Sequence, residues 1–195
     1  MPHAATVTLT GEQVAERIRG ALPGAVRSVE PGFVVLEPAH ALEAMALLRD
    51  DETLDGQFLV QLCSVDMITR IDVVYHFSSL ARNHIFCVKV PADHEQPEVP
   101  SVTSLWLGAH LQEREVYDLM GVRFAGHKDL SRLFLWDKFP GHPLRKDFMA
   151  LPGGQKPGLS QFPKQAPGQT GGEFRPGDAT NGAPGGAPGG APGGA

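Results

Sequence analysis

Three runs between residues 57 and 91 decide the fold: "QFLVQLCSVDMI" (57–68), "IDVVYHFSS" (71–79) and "HIFCVKVP" (84–91). In the second, Val73, Tyr75 and Phe77 fall on one side of an extended chain and Val74 and His76 on the other, because successive Cβ atoms of a strand point to opposite faces. The links between the runs are only a few residues long, whereas parallel neighbours need a crossover of a dozen or more. The pattern predicts an antiparallel meander with strands over 57–66, 71–78 and 84–90.

Upstream, Thr10 and Gln13 have the capping-box spacing, with Leu9 and Val14 placed as a hydrophobic staple. The helix they open carries Val14, Ile18 and Leu22 on one side and stops at Pro23–Gly24. "AVRSVE" (25–30) and "GFVVLE" (32–37) flank the Pro31–Gly32 turn as a hairpin. Pro38 suits the first position of a second helix, "PAHALEAMALLRD" (38–50), with Leu42, Met45 and Leu48 or Arg49 along one side. The fold class is α+β: an antiparallel or mixed sheet with helices packed on one face.

Downstream lies "LQEREVYDLMG" (111–121). Continued as a helix from about Leu105, one face collects Leu105, Ala109, Val116 and Met120, flanked by Trp106 and Tyr117, with Glu113 inside it. A carboxylate there must be paired, hydrogen-bonded or protonated, since desolvation otherwise costs several kcal/mol. Three arrangements are open. A late or rotated helix leaves Glu113 at a half-exposed rim, an ion pair holds it inside the domain, or a partner protein supplies the donor. Arg145 is the first candidate cation. Arg114 and Asp118 lie four apart on the opposite side, as a solvated pair worth ~0.3 kcal/mol.

After Gly121 the periodicity fades into an irregular extended segment, "VRFAGHKDLSRLFLWDKFPGHPLRKDF" (122–148), with turn signals at Gly126 and Pro140–Gly141. Its end sets His142, Arg145, Lys146 and Asp147 beside two prolines, which restrict the backbone and present the charges in a defined geometry. From Leu151 onward Gly and Pro dominate, closing in three "APGG" units. That composition buries too little apolar area to offset chain entropy. Residues 1–150 are thus expected to form one domain and 151–195 a flexible tail.

Composition closes off several functions. The 195 residues are 42% hydrophobic and 20% charged, with a net charge of −5 that argues against nucleic acid as a partner. No apolar run approaches the ~20 residues needed to span a bilayer. "MPHAATVTLTGEQ" lacks the basic start and apolar stretch of a signal peptide, so a cytoplasmic location is expected. Cys63 and Cys87 sit in strand-like runs as small core residues. A disulfide between them is geometrically open but disfavoured in a reducing cytoplasm. Two thiolates fall short of the four an iron–sulfur cluster takes. A free-standing hydrolase using Glu113 or Asp118 with a histidine is the remote alternative. No "HExxH", "GxSxG" or glycine-rich phosphate loop supports it, nor does the spacing of His127 and His142 as metal ligands.

The stretch from "VPSVTSLW" to "GHPLRKDF" (99–148) resembles the signature region of the 30-kDa subunit family of bacterial NADH–quinone oxidoreductase, respiratory complex I. Glu113, Arg114, Glu115, Tyr117 and Asp118 match an "ERExYD" helix. Gly121, Phe124, Gly126, His127, Asp129, Leu130 and Arg132 match "GxxFxGHPDLRRI", and residues 141–147 match "GHPLRKDY" without a break. "CSVDM" around Asp66 and "VVYHFSSL" are similar as well. Lys128, Ser131 and Phe148 depart from a usual proline, arginine and tyrosine.

The resemblance implies a non-redox structural subunit in the hydrophilic arm of a complex that passes electrons from NADH through flavin and iron–sulfur clusters to quinone. It implies no cofactor in this chain, with flavin and clusters in partner subunits. It further implies contact with the subunit that forms the quinone site and with that subunit's neighbours, and peripheral placement on the cytoplasmic face of the cell membrane. The ten residues it marks as an interface or structural charge network are Glu113, Arg114, Glu115, Tyr117, Asp118, His127, His142, Arg145, Lys146 and Asp147. Membrane-bound hydrogenases and formate hydrogenlyase contain related modules, so an equivalent subunit of such a complex is the alternative.

Overall fold

Among the described residues, eight strands and three α-helices follow one another: β1 (Val7–Thr8), α1 (Gly11–Ala21), β2 (Val26–Glu30), β3 (Phe33–Leu36), α2 (Ala41–Asp50), β4 (Phe58–Asp66), β5 (Arg70–Ser79), β6 (His84–Asp93), β7 (Glu98–Pro100), α3 (Ala109–Met120) and β8 (Arg123–Ala125). The computed structural model describes residues 5–139 and 141–149, all of them in the first of two units, Met1–Ser160. The tail expected from Leu151, like Pro140, lies outside the described residues.

β4, β5 and β6 form the expected antiparallel meander, with Leu62 opposite Tyr75 and Tyr75 opposite Val88. The sheet as a whole is mixed, because β3 joins β6 in parallel at Val88–Lys89 and β1 does so at the start of β6, giving the order β2-β3-β6-β5-β4 with β1 beside β6. Among the described residues β4 is an edge strand. The Asn83 turn between β5 and β6 has φ 52, a left-handed value that asparagine tolerates.

Alternation along β5 sorts the layers. Val73, Tyr75 and Phe77 belong to the core cluster with Val14 and Ile18 of α1, Met45 and Leu48 of α2, and Ala109 and Val116 of α3. Val74 is buried outside that cluster and His76 is exposed, so the helices share one face. Phe77 anchors the packing, its ring 5.3 Å from Phe86 and 5.0 Å from Trp106. Truncation of such a ring costs roughly 3–5 kcal/mol.

α1 has the complete capping box, with Thr10 and Gln13 bonding each other's backbone amides. It approaches the β2–β3 hairpin so closely that a Cβ on Gly11 would lie 2.1 Å from the Glu30 carbonyl oxygen. α2 begins at Ala41 after a 3₁₀ turn over Pro38–His40. Its buried side is Ala41, Ala44, Met45 and Leu48, whereas Leu42 turns to solvent. Cys63 and Cys87 are free and stand on β4 and β6 with β5 between them. Two strand spacings, about 9.5 Å, exceed what a disulfide spans.

Candidate functional site: a charged helix and the segment strapped to it

α3 starts at Ala109 rather than Leu105, because the chain through 103–108 runs in turns whose amides return to Val102 and Trp106. The helical phase is nevertheless the expected one. Ala109, Glu113, Val116 and Met120 are buried, and Glu113 is fully enclosed. Its Oε2 accepts from Ser101 Oγ at 2.7 Å and its Oε1 from the Val102 amide at 2.7 Å. Thr103 Oγ1 extends the chain of hydroxyls, 2.8 Å from Ser101 Oγ. Burial raises the Glu113 carboxyl to about 7, against the pull of those two bonds.

The expected cation is elsewhere. Arg145 binds both carboxylate oxygens of Asp147, at 3.1 and 3.0 Å, and donates to the His94 carbonyl at 2.9 Å. Among the described residues no Lys, Arg or His forms an ion pair with Glu113. A neighbouring hydroxyl and a turn amide therefore take the place of a counter-ion.

Arg114 and Asp118 do not pair with each other either. Both grip the segment that follows. Arg114 donates to the carbonyls of Ser131 (3.1 Å) and Arg132 (3.0 Å). Asp118 Oδ2 accepts three successive amides, from Leu133 (3.0 Å), Phe134 (2.7 Å) and Leu135 (2.9 Å), while Oδ1 receives Arg132 Nη1 at 2.9 Å. Burial would raise this carboxyl, but the amides and the guanidinium outweigh it and hold the group below the usual carboxylate range. Arg132 also reaches the carbonyls of Phe139 (3.1 Å) and Gly141 (3.3 Å), so one side chain ties the helix to both ends of an irregular loop.

The end of α3 is closed by the same segment. His142 Nδ1 lies 2.9 Å from the Asp118 carbonyl and the Leu144 amide 3.0 Å from the Leu119 carbonyl. These are among the orphan acceptors every helix leaves at its C-terminus. Gly121 caps the helix at φ 79, a left-handed value, and a Cβ there would lie 2.6 Å from His142 Cδ2. Tyr117 sits with its ring 6.2 Å from that of His142.

A second clamp holds the following turn. Asp66, at the end of β4, accepts the Lys146 amide at 2.9 Å and the Ile68 amide at 2.7 Å. His94 Nε2 stands 3.3 Å from Asp66 Oδ1, and Arg145 Nη2 stands 3.2 Å from His94 Nδ1. The Lys146 side chain and Glu115 project outward. His127 is engaged apart from His142. Its Nε2 meets the His110 carbonyl at 3.2 Å, its Nδ1 accepts the Asp129 amide at 3.1 Å, and its ring stacks 4.7 Å from that of His110. Among the described residues no three His, Cys, Asp or Glu side chains converge as a metal-binding group.

The motif residues thus meet around one helix and one strap, with Arg132, Asp66 and His94 as members that sequence reasoning did not single out as a site. The bonds that tie them to the helix and the strap, Arg132 to Asp118 and Asp66 to Lys146, span 14 and 80 positions of the chain, a separation no local pattern encodes. β7 and β8, which pair in parallel with each other, also went unforeseen, because three-residue strands show too few alternations. This is an α+β chain whose charged motif fixes the shape of one of its own segments.

Residues 34–153 match the family described as respiratory-chain NADH dehydrogenase, 30 Kd subunit. A relative from Roseiflexus sp. (strain RS-1), itself named as a subunit of NADH-quinone oxidoreductase, is 39% identical over 148 residues, covering 72% of this chain and 85% of its own. The protein of the same name from Moorella thermoacetica is 48% identical over 121 residues, covering 60% and 79%. Among solved structures, the trypsin-resistant fragment (1-134) of Nqo5 superposes with a TM-score of 0.51 at 34% identity, over 61% of this chain and 98% of that one. A chain of an archaeal membrane-bound sulfane sulfur reductase superposes with a TM-score of 0.58 at 22% identity, over 72% and 86%, which shows a shared fold. The chain belongs to the 30 kDa subunit family of the respiratory-chain NADH dehydrogenase.

Proposed function

We propose that this chain serves as the 30 kDa-family subunit of an NADH–quinone oxidoreductase and acts there as a scaffold without a redox centre of its own. The observation that carries the reading is the strap. Asp118, Arg114, Arg132 and Asp66 are spent on holding residues 131–147 in a set conformation on α3. A segment ordered in advance presents its outward groups to a partner without a large ordering cost on binding. Phe134, Leu144, Lys146 and Asp147 face outward from it. Relatives at 39–48% identity carry the NADH-quinone oxidoreductase name, which favours this assembly over a hydrogenase-type one.

In this reading flavin and the iron–sulfur clusters reside in partner subunits. The strap meets the subunit that forms the quinone site and its hydrophilic-arm neighbours, and the chain reaches the cytoplasmic face of the membrane only through them. No helix among the described residues is long and apolar enough to cross a membrane, which suits such peripheral attachment. The domain spans residues 1–150, with 151–195 as its tail. Affinity purification of the tagged chain from detergent-solubilised membranes tests this. Flavin- and cluster-bearing subunits that oxidise NADH are expected alongside it, and their consistent absence overturns the proposal.

A further inference from the structure

His94 follows the end of β6 and lies between the strap and β4, its side chain 13% exposed. Its two ring nitrogens are held differently. Arg145 Nη2 stands 3.2 Å from Nδ1. A guanidinium offers only donors, so Nδ1 is the acceptor and the ring proton resides on Nε2. Nε2 faces Asp66 Oδ1 at 3.3 Å, yet it is enclosed and out of line for a hydrogen bond, with no other partner among the described residues. A buried N–H in that condition is costly and rare. The ring is therefore placed to suit Arg145 at the expense of its own donor.

Nδ1 has a second neighbour of the opposite charge, Glu95 Oε1 at 3.6 Å. Arg145 can bond this nitrogen only while it is bare, and Glu95 only once it carries a proton. The Arg145 contact is also the easiest to give up. Nη2 has two hydrogens for three acceptors, the His94 carbonyl at 2.9 Å, Asp147 Oδ2 at 3.0 Å and Nδ1 at 3.2 Å. Asp66 from β4 and Asp147 from the strap add negative charge around the ring, while Arg70 and Asp72 of β5 pair with each other at 2.6 Å. Burial would raise the Asp66 carboxyl, but the amides of Lys146 and Ile68 and the His94 ring outweigh it and hold it below its ordinary value. The bond from Arg145 does the same for Asp147. Both carboxylates thus stay charged across the range of about pH 5 to 8 in which histidines gain their proton.

We propose that His94 is a proton-operated switch on the strap: with Nδ1 bare it anchors Arg145, and with Nδ1 protonated it turns to Asp66 and Glu95 and repels the guanidinium. Arg145 carries the turn at the end of the strap, its amide bonded to the His142 carbonyl and its own carbonyl to the Phe148 amide, each at 3.2 Å. Displacing its side chain loosens that turn. The Lys146 amide stays on Asp66, so the strap is slackened at one place rather than lifted. The switch belongs to this chain alone and does not depend on the assembly it joins.

The test is NMR of the full chain labelled with ¹⁵N, taken from about pH 8 to about pH 5. The His94 ring nitrogens report tautomer and proton, and amide exchange corrected for its intrinsic pH dependence reports protection. At pH 8 the proton is expected on Nε2 alone. As Nδ1 gains its proton, protection of the Arg145 and Phe148 amides should fall about tenfold, the worth of one hydrogen bond to a charged group, with the Tyr75 amide of β5 no less protected. The proton that Glu113 holds stabilises the whole fold toward acid pH, so a loss confined to the turn has the opposite sign and a different source. His94→Asn, which offers an uncharged acceptor near the place of Nδ1, should keep the turn protected at both ends of the range. Glu95→Gln should move the loss to lower pH. A proton on Nδ1 at pH 8 overturns the proposal, as does a turn already unprotected there. A His94 titration that leaves the Arg145 and Phe148 amides unchanged, or an equal loss in His94→Asn, overturns it likewise.

Discussion

The carboxylate of Asp118 meets the guanidinium of Arg132 at 2.9 Å, with the first side chain fully enclosed and the second 17% exposed. Three backbone amides share the same carboxylate. The charge is thus distributed over a loop with no regular structure, and that loop depends on it.

Asp118→Asn keeps an acceptor for the amides but leaves Arg132 without its counter-ion. Breaking one half of a buried pair costs about 3–5 kcal/mol, and the partial exposure of Arg132 brings the expectation to the lower end. Glu12→Gln, which touches only the exposed pair with Arg19, should change stability by less than about 1 kcal/mol. Hydrogen exchange should place the loss in residues 131–144 before the central strands. Because the folded carboxyl lies below its ordinary value, its contribution is complete above about pH 4 and fades as pH falls through the folded value.

Glu113 has the opposite sign. Its folded carboxyl is raised to about 7, so the folded state binds the proton more tightly than the unfolded one. Stability from this group is full below about pH 4.5 and is lost as pH rises to 7, by roughly 3 kcal/mol. Glutamine can accept from the Val102 amide and donate to Ser101 Oγ without any charge. Glu113→Gln should therefore match wild type at pH 4 and exceed it at pH 8 in denaturant unfolding. A variant much less stable than wild type at pH 8 would show that Glu113 needs its charge.

Gly121→Ala meets two obstacles, a left-handed backbone and the His142 ring 2.6 Å from the new Cβ. A loss of about 2–3 kcal/mol is expected from the backbone strain and the displaced ring together. Gly20→Ala, in α1 with open space around it, should be neutral or stabilising by up to about 1 kcal/mol. Thermal or denaturant melting of the two variants side by side checks both signs.

The thiols should be slow. Burial pushes Cys87 up to about 11 and raises Cys63 as well, so at pH 7 both are overwhelmingly thiols rather than thiolates. Alkylation rates that rise with pH well past 8.5 are the expected signature. A cysteine already reacting at its maximal rate at pH 7 would contradict the burial.

Legibility in the sequence followed range along the chain. Thr10 and Gln13 lie three residues apart and their capping box was readable. So was the alternation of Val73, Tyr75 and Phe77, which sorted the faces of β5. The phase of α3 was readable because Ala109, Val116 and Met120 repeat at helical spacing. What those residues bind was not. Glu113 is answered by Ser101 and Val102 across a turn, and Arg145 by Asp147 and His94. Arg114 and Asp118 looked like a local pair, yet each is satisfied by backbone of 131–135 that only folding brings over the helix. Charged side chains in a motif announce that something is held. The identity of what is held lies in the tertiary fold.

The most direct test is to delete the chain, restore it as wild type or Asp118→Asn, and measure two quantities in membranes. These are the amount of assembled NADH–quinone oxidoreductase and its turnover per assembled complex. A scaffold whose strap makes the partner contact predicts much less assembled complex for Asp118→Asn, with turnover per complex unchanged. Normal assembly with impaired turnover would contradict it, because the motif would then take part in the chemistry rather than in holding the subunits together.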